Sequence, residues 1–292
     1  MGKNRFTAAQ DGLRLHALEY GDRHSPLLPV VCLPGLSRTA EDFAALASAL
    51  GGNRRVLALD YRGRGRSDYD PNPENYTIPV ETADVMTVVT ALEAAPAIVV
   101  GTSRGGLIAM TLAGTKPEVL AGVILNDIGP VVETEGVMRI KGYVGKLQQP
   151  TTYKEAAEIL RSISGNQFPN LGAADWLAAA RRGWREQGGR LVTTYDPALG
   201  STLDSITTDK PFPTMWPQFD ALAQLPLMVV HGANSDVLST ATVTAMQARR
   251  PDMELVVVAD QGHAPLLAEP GTIGPIAAFA AKCDALRGRP RH

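Results

Sequence analysis

Short runs of buried-strand character alternate with helix-like runs along most of this 292-residue chain, and that rhythm constrains the fold more than any other feature. Repeats of this kind predict a mostly parallel sheet with helices on both faces. The start is different: Arg5 to Ala9 and Leu13 to Tyr20 flank Gln10, Asp11 and Gly12, where the Asp-Gly pair predicts a hairpin. Strands follow at Pro29 to Leu33, Arg55 to Leu59, Ala97 to Val100 and Leu120 to Asn126, with helices at Thr39 to Leu50, Glu81 to Ala94 and Arg104 to Lys116. The rhythm breaks between Val131 and Pro213, where helix-like pieces (Tyr153 to Ile163, Ala174 to Glu186) lie among Pro- and Gly-rich loops without a clear core strand. It resumes with strand Leu227 to His231, helix Ser239 to Arg250, strand Met253 to Val258 and helix Gly271 to Leu286. Such an interruption predicts a core domain of residues 1–130 and 214–292 and a cap or lid over 131–213.

Composition narrows the partners. With 45% hydrophobic and 20% charged residues the chain is ordinary for a globular protein, and a formal net charge of −2 favours neither nucleic acid nor an anionic membrane. Met1 to Gln10 lacks an apolar stretch, and no run of about 18 apolar residues occurs, which points to a cytoplasmic protein. Cys32 lies in an apolar strand-like run and Cys283 in the last helix-like segment. Without metal-ligand spacing they read as buried thiols, and no metal or cofactor is expected.

Chemistry concentrates at Gly101, Thr102, Ser103, Arg104 and Gly105, between a strand-like and a helix-like run. A serine on so sharp a turn needs small neighbours, because flanking side chains would strike adjacent backbone. Its hydroxyl needs a base, and the base needs an orienting acid. Of the five histidines, His16 falls in the hairpin, His24 in a polar turn, His231 at a strand end and His292 at the terminus. His263 lies in the loop Asp260 to Pro265, after a buried strand at the carboxyl edge of the sheet, where catalytic loops collect. Asp236, in the loop after the preceding strand, gives the chain order Ser103, Asp236, His263. Asp127 is its rival, since it too follows a core strand at that edge. For an oxyanion, the turn Leu33, Pro34, Gly35, Leu36 offers the Leu36 N–H beside that of Arg104.

Those motifs, with Asp60, Arg62, Gly63, Gly65 and Ser67, Gly232 to Asp236 and Gly262 to His263, resemble the α/β-hydrolase superfamily over roughly residues 25–130 and 216–287. The resemblance implies an eight-stranded, mostly parallel sheet with an inserted helical cap, and a Ser, His, acid hydrolase working on a small molecule without metal or organic cofactor. The nearest likeness is to capped esterases, enol-lactonases and carbon–carbon bond hydrolases. Pro34 stands where a histidine usually precedes the oxyanion glycine, and Arg104 replaces the commoner apolar residue after the serine. The stretch Asp60 to Asp68 has the wrong glycine spacing for a dinucleotide and reads as a structural loop.

All three tryptophans, Trp176, Trp184 and Trp216, fall within residues 140–220 with six further aromatics. They point to an apolar roof over the substrate. Arg104 either contacts a substrate carboxylate or forms a structural ion pair. The expected activity is ester or lactone hydrolysis, with carbon–carbon cleavage of a diketo acid or ligand reception as alternatives.

Overall fold

A computed structural model describes residues 2–210 and 212–287. Met1, Pro211 and residues 288–292, which include His292, lie outside the described residues.

Strands β1 (Lys3–Ala8) and β2 (Arg14–Tyr20) pair antiparallel as the predicted hairpin, with Gly12 in its turn at φ +89°. Then follow β3 (Val30–Leu33), α1 (Ala44–Leu50), β4 (Val56–Asp60), α2 (Ile78–Ala91), β5 (Ala97–Thr102), α3 (Arg104–Thr115) and β6 (Leu120–Asn126). The next segment carries α4 (Thr134–Tyr143), α5 (Tyr153–Ser164), α6 (Ala173–Gly183) and a hairpin of β7 (Trp184–Gln187) and β8 (Arg190–Thr193). The chain closes with α7 (Trp216–Asp220), β9 (Leu227–Gly232), α8 (Thr240–Arg249), β10 (Glu254–Val258) and α9 (Pro270–Leu286).

One eight-stranded sheet runs β1-β2-β4-β3-β5-β6-β9-β10, antiparallel across β1, β2 and β4 and parallel from β4 onward. Its central strands are apolar throughout because both faces are covered. Along β5 the pleat sends Val99 into the layer under α2 and α3, while Ile98 and Val100 pack with Leu46 of α1 and Phe279 of α9. Each such side chain contributes about 1.5–3 kcal/mol when fully buried. The carboxyl ends of β5, β6 and β9 and the loop after β10 thereby share one edge, which holds the site.

The segment between β6 and β9 has a small core of its own, including Ala156, Phe168, Trp176, Ala180, Trp184 and Leu191. Here the structure corrects one expectation. The helix predicted to Glu186 stops at Gly183, and Trp184 begins β7. The cause is the pair Gly188 and Gly189, at φ +58° and +75°, whose left-handed conformations make the two-residue turn a hairpin favours. Cys32 and Cys283 are buried free thiols. Among the described residues no helix is long and apolar enough to cross a membrane.

Candidate active site

Ser103 sits between β5 and α3 at φ +51° and ψ −114°, a conformation that side-chain-bearing residues rarely adopt. The flanking glycines explain how the turn fits. A Cβ at position 105 would stand 2.1 Å from the Leu33 carbonyl oxygen, and one at 101 would stand 2.5 Å from that of Gly105. The backbone thus lifts the serine hydroxyl above the sheet edge, into a cleft of about 470 Å³.

His263 meets it there. Its Nε2 lies 2.8 Å from Ser103 Oγ, and its Nδ1 lies 2.8 Å from a carboxylate oxygen of Asp127. A carboxylate can only accept, so Nδ1 carries the proton and the Nε2 lone pair faces the serine hydroxyl. Asp127 follows β6 directly at φ +55°, so the serine and the acid are two of the four non-glycine residues with positive φ among the described residues. Its carboxylate also accepts from the Gly232 N–H at 2.8 Å and the Ser235 hydroxyl at 2.6 Å, with His231 Nδ1 at 3.4 Å. Burial opposes its charge, but hydrogen bonds from His231, His263 and Ser235 together with the His263 charge outweigh it, so its pKa lies below the usual carboxylate value.

Asp236, expected to bond His263, has no hydrogen bond to it among the described residues. Its two oxygens accept from Arg139 Nε at 2.5 Å and Nη2 at 2.9 Å. Burial works against its charge too, and bonds from Arg139 and Gln167 hold its pKa low. Arg139 stands on α4, an element with no sequence signal tying it to this loop, and a bidentate guanidinium is a strong competitor for a carboxylate.

The turn expected to hold an oxyanion lies beside Ser103. Leu36 lines the cleft beside Ser103, and among the described residues neither its N–H nor that of Arg104 is committed to an acceptor in the protein. The turn is held from below: Tyr61 donates to the Pro34 carbonyl at 3.2 Å and Arg64 Nε donates to the Leu36 carbonyl at 2.8 Å. Arg64 is fully buried and pairs with Glu81 at 2.6 Å. The same carboxylate takes Arg104 Nε, and Arg104 also donates to the Tyr76 carbonyl. Desolvation disfavours the Glu81 charge, but Arg104 and Arg64 keep its pKa low. Arg104 therefore turns away from the cleft into a structural ion pair, with a glutamate of α2. Arg62 is likewise internal, bonded to Asp11, Asp70 and Asp84, which accords with the structural reading of that loop.

Changing Glu81 to Gln would leave two buried guanidiniums uncompensated. The expected result is a loss of about 3–5 kcal/mol in stability by denaturant titration. A loss under about 1 kcal/mol would show the two arginines to be solvated in another way.

Of the predicted roof, Trp176 and Trp184 line the cleft, with Phe168 and Tyr143. Trp216 does not. It packs edge-on against Phe219, ring centroids 5.7 Å apart, beneath Arg249 at 4.1 Å, because α7 already belongs to the helical layer of the sheet. Sequence reasoning missed Glu81 altogether, since a glutamate near a helix start reads as favourable helix-end charge. It also missed Gln167, whose side-chain carbonyl accepts from the His263 N–H at 3.0 Å. Among the described residues no group of three or more His, Cys, Asp or Glu could hold a metal ion.

The profile of the alpha/beta hydrolase family matches residues 30–273. The chain belongs to that family. As an α/β-hydrolase it is 35% identical over 273 residues to a 3-hydroxybutyrate-oligomer hydrolase of Cupriavidus necator, covering 89% of this chain and 91% of that protein. It is also 25% identical over 231 residues to a 2-(acetamidomethylene)succinate hydrolase of Mesorhizobium japonicum, covering 78% and 79% of the two chains. Among solved structures, an α/β-hydrolase from Novosphingobium aromaticivorans superposes with a TM-score of 0.90 at 39% identity, covering 96% of this hydrolase and 98% of that chain.

Proposed function

We propose that this α/β-hydrolase cleaves carboxylic esters through an acyl-enzyme on Ser103, and that short oligoesters of hydroxy acids are its substrate class. The observation that carries the reading is the hydrogen-bonded series Ser103, His263, Asp127, with both links at 2.8 Å. His263 Nε2 takes the hydroxyl proton as Ser103 Oγ attacks the ester carbonyl, and Asp127 holds the imidazole tautomer and faces the imidazolium that forms. The oxyanion develops between the Leu36 and Arg104 amides, each such donor being worth about 3 kcal/mol in the barrier. As the intermediate collapses, the imidazolium returns its proton to the departing alkoxide. Water then enters, gives its proton to His263 and releases the acid from the acyl-enzyme.

The substrate class rests on the similarity to the oligomer hydrolase and on a cleft lined by Leu36, Phe168, Leu171, Trp176 and Leu266, which suits an aliphatic acyl chain. Residues 131–213 act in this reading as the cap over that cleft. Carbon–carbon cleavage called for a carboxylate-binding Arg104, and its guanidinium is committed to Glu81.

The test is covalent trapping. A fluorophosphonate should add once, on the peptide that contains Ser103, and a dimer of 3-hydroxybutyrate should protect against it while being split to the monomer. Labelling elsewhere would overturn the nucleophile. Ser103 labelling without turnover of the dimer, of short aryl esters or of lactones would overturn the ester reading in favour of ligand reception.

A further inference from the structure

Two guanidiniums share one carboxylate in the Ser103 cleft. Arg38 donates Nε and Nη2 to Asp42 at 2.8 and 3.0 Å, and Arg182 of α6 donates Nε to the same carboxylate at 3.0 Å. All three residues line the cleft together with Ser103 and His263. A guanidinium carries five N–H donors; Arg38 spends two on Asp42 and Arg182 one, and the rest have no acceptor among the described residues. Both side chains stay open to solvent, 36% exposed for Arg38 and 30% for Arg182. The other acids of the lining are turned to different partners. The Asp175 carboxylate accepts the Gly172 N–H at 2.9 Å at the start of α6, and the exposed Glu41 faces Tyr20 of β2, whose pKa is raised by burial and by that charge. Two guanidiniums on one carboxylate leave a single positive charge in excess.

This cluster is tied to the reacting groups through the backbone. Arg38 closes the turn that presents the Leu36 amide, its own N–H donating to the Gly35 carbonyl at 3.2 Å. Gly35 puts no side chain between Arg38 and the serine: a Cβ there would stand 3.4 Å from Arg38 Cγ and 3.7 Å from Ser103 Cβ. The stem of Arg38 thus runs beside Ser103, and its guanidinium lies only Cδ and Nε further along. In an ester of a 3-hydroxy acid, one oxygen and two carbons separate the scissile carbonyl carbon from the carboxyl carbon of the leaving unit. A carboxylate on the Arg38 guanidinium and an ester carbonyl at Ser103 are therefore within the span of one hydroxy-acid unit inside one cavity. A planar guanidinium with free N–H pairs is the side chain best suited to a carboxylate.

We propose that Arg38 and Arg182 form a carboxylate subsite that holds the free carboxyl end of an oligoester, so that the ester next to that end meets Ser103. The inference rests on the ester reading of the site. A bound carboxylate sets two guanidiniums against two carboxylates and neutralises the excess charge. When the C–O bond breaks, its oxygen takes the proton from His263 and leaves as the hydroxyl of the carboxyl-terminal unit, while the rest of the chain stays on Ser103 until water releases it. Monomers then come off one at a time from the carboxyl end, and a chain whose end is capped is a poorer substrate.

The probes are the 3-hydroxybutyrate trimer as the free acid, the same trimer as its methyl ester, and the acid trimer deuterated in its hydroxyl-terminal unit. Wild-type enzyme should prefer the free acid about tenfold in kcat/KM, because the methyl ester forfeits a charge-assisted pair. The first products of the deuterated trimer should be unlabelled monomer and labelled dimer. In the double variant Arg38→Gln, Arg182→Gln the preference should shrink towards one. Arg182→Gln alone, which leaves the Arg38–Asp42 pair in place, should lose part of it, and the remote surface change Arg23→Gln should retain it. A ratio between two substrates is blind to a general loss of activity or of folded protein, so a disturbed oxyanion turn would not move it. Hydrolysis with equal kcat/KM for acid and methyl ester, an undiminished preference in both the single and the double variant, or labelled monomer as the first product overturns the subsite and leaves the ester reading standing. Hydrolysis of neither trimer defeats the ester reading and the subsite with it.

Discussion

Asp127→Asn is expected to lower kcat/KM by about 10⁴, with the fold retained. Position 127 lies in a pocket of donors: the Gly232 amide, the Ser235 hydroxyl and His263 Nδ1 all point at its two oxygens. An asparagine amide fits that space but turns an NH₂ group towards one of them. Facing His263, it would donate to Nδ1 and drive the proton to Nε2, where the imidazole can no longer accept from Ser103. Asp236→Asn, by contrast, loses an ion pair with Arg139 and is expected to change kcat/KM by less than about tenfold. The comparison is made by steady-state kinetics on one ester, with circular dichroism to confirm folding. A larger loss from Asp236→Asn than from Asp127→Asn would reverse the assignment of the acid.

The larger effect belongs to the proposed nucleophile. Ser103→Ala removes the atom proposed to attack and should bring kcat down about a million-fold, close to the residual rate that binding and an oxyanion site sustain alone. Stability should hardly change, because alanine keeps the same strained φ and, among the described residues, the hydroxyl has one protein partner, His263 Nε2. The measurement pairs thermal melting with turnover and with fluorophosphonate labelling. A folded alanine variant that retains a tenth of the activity would exclude an acyl-enzyme at this position.

Much of this was legible in the sequence for definite reasons. The six strands of the parallel part could be read because each is a short, largely apolar run bounded by turn residues, and the β1–β2 hairpin because of its Asp-Gly turn. Ser103 was legible because its glycines answer a steric need that survives in one dimension. His263 followed from its place after the last strand. The acid was not decided in this way. Asp127 and Asp236 both leave parallel strands at the same edge, and what separates them is Arg139, which comes from α4 and draws one of them off. Glu81 was illegible for a related reason: its partners Arg64 and Arg104 are far apart in sequence and meet only when the loop after β4 folds under the oxyanion turn. The tryptophans were grouped by composition, but Gly188 and Gly189 moved Trp184 onto a strand and the return to the core took Trp216 away.

The proposed nucleophile and the proposed acid stand at the ends of neighbouring strands. Thr102 is in register with Asn126, the Ser103 N–H donates to the Asn126 carbonyl at 3.0 Å, and the Asp127 N–H donates to Val230 at 2.8 Å. The spacing between them is therefore a property of one ladder of backbone bonds and owes nothing to residues 131–213. Substitutions in that segment should therefore leave the Ser103–Asp127 spacing intact, whereas an acid at Asp236 would have depended on Arg139, which lies within it. With the proposed acid on the strand next to the proposed nucleophile, the distance between these two is insulated from residues 131–213, although Gln167 in that segment still holds the His263 N–H.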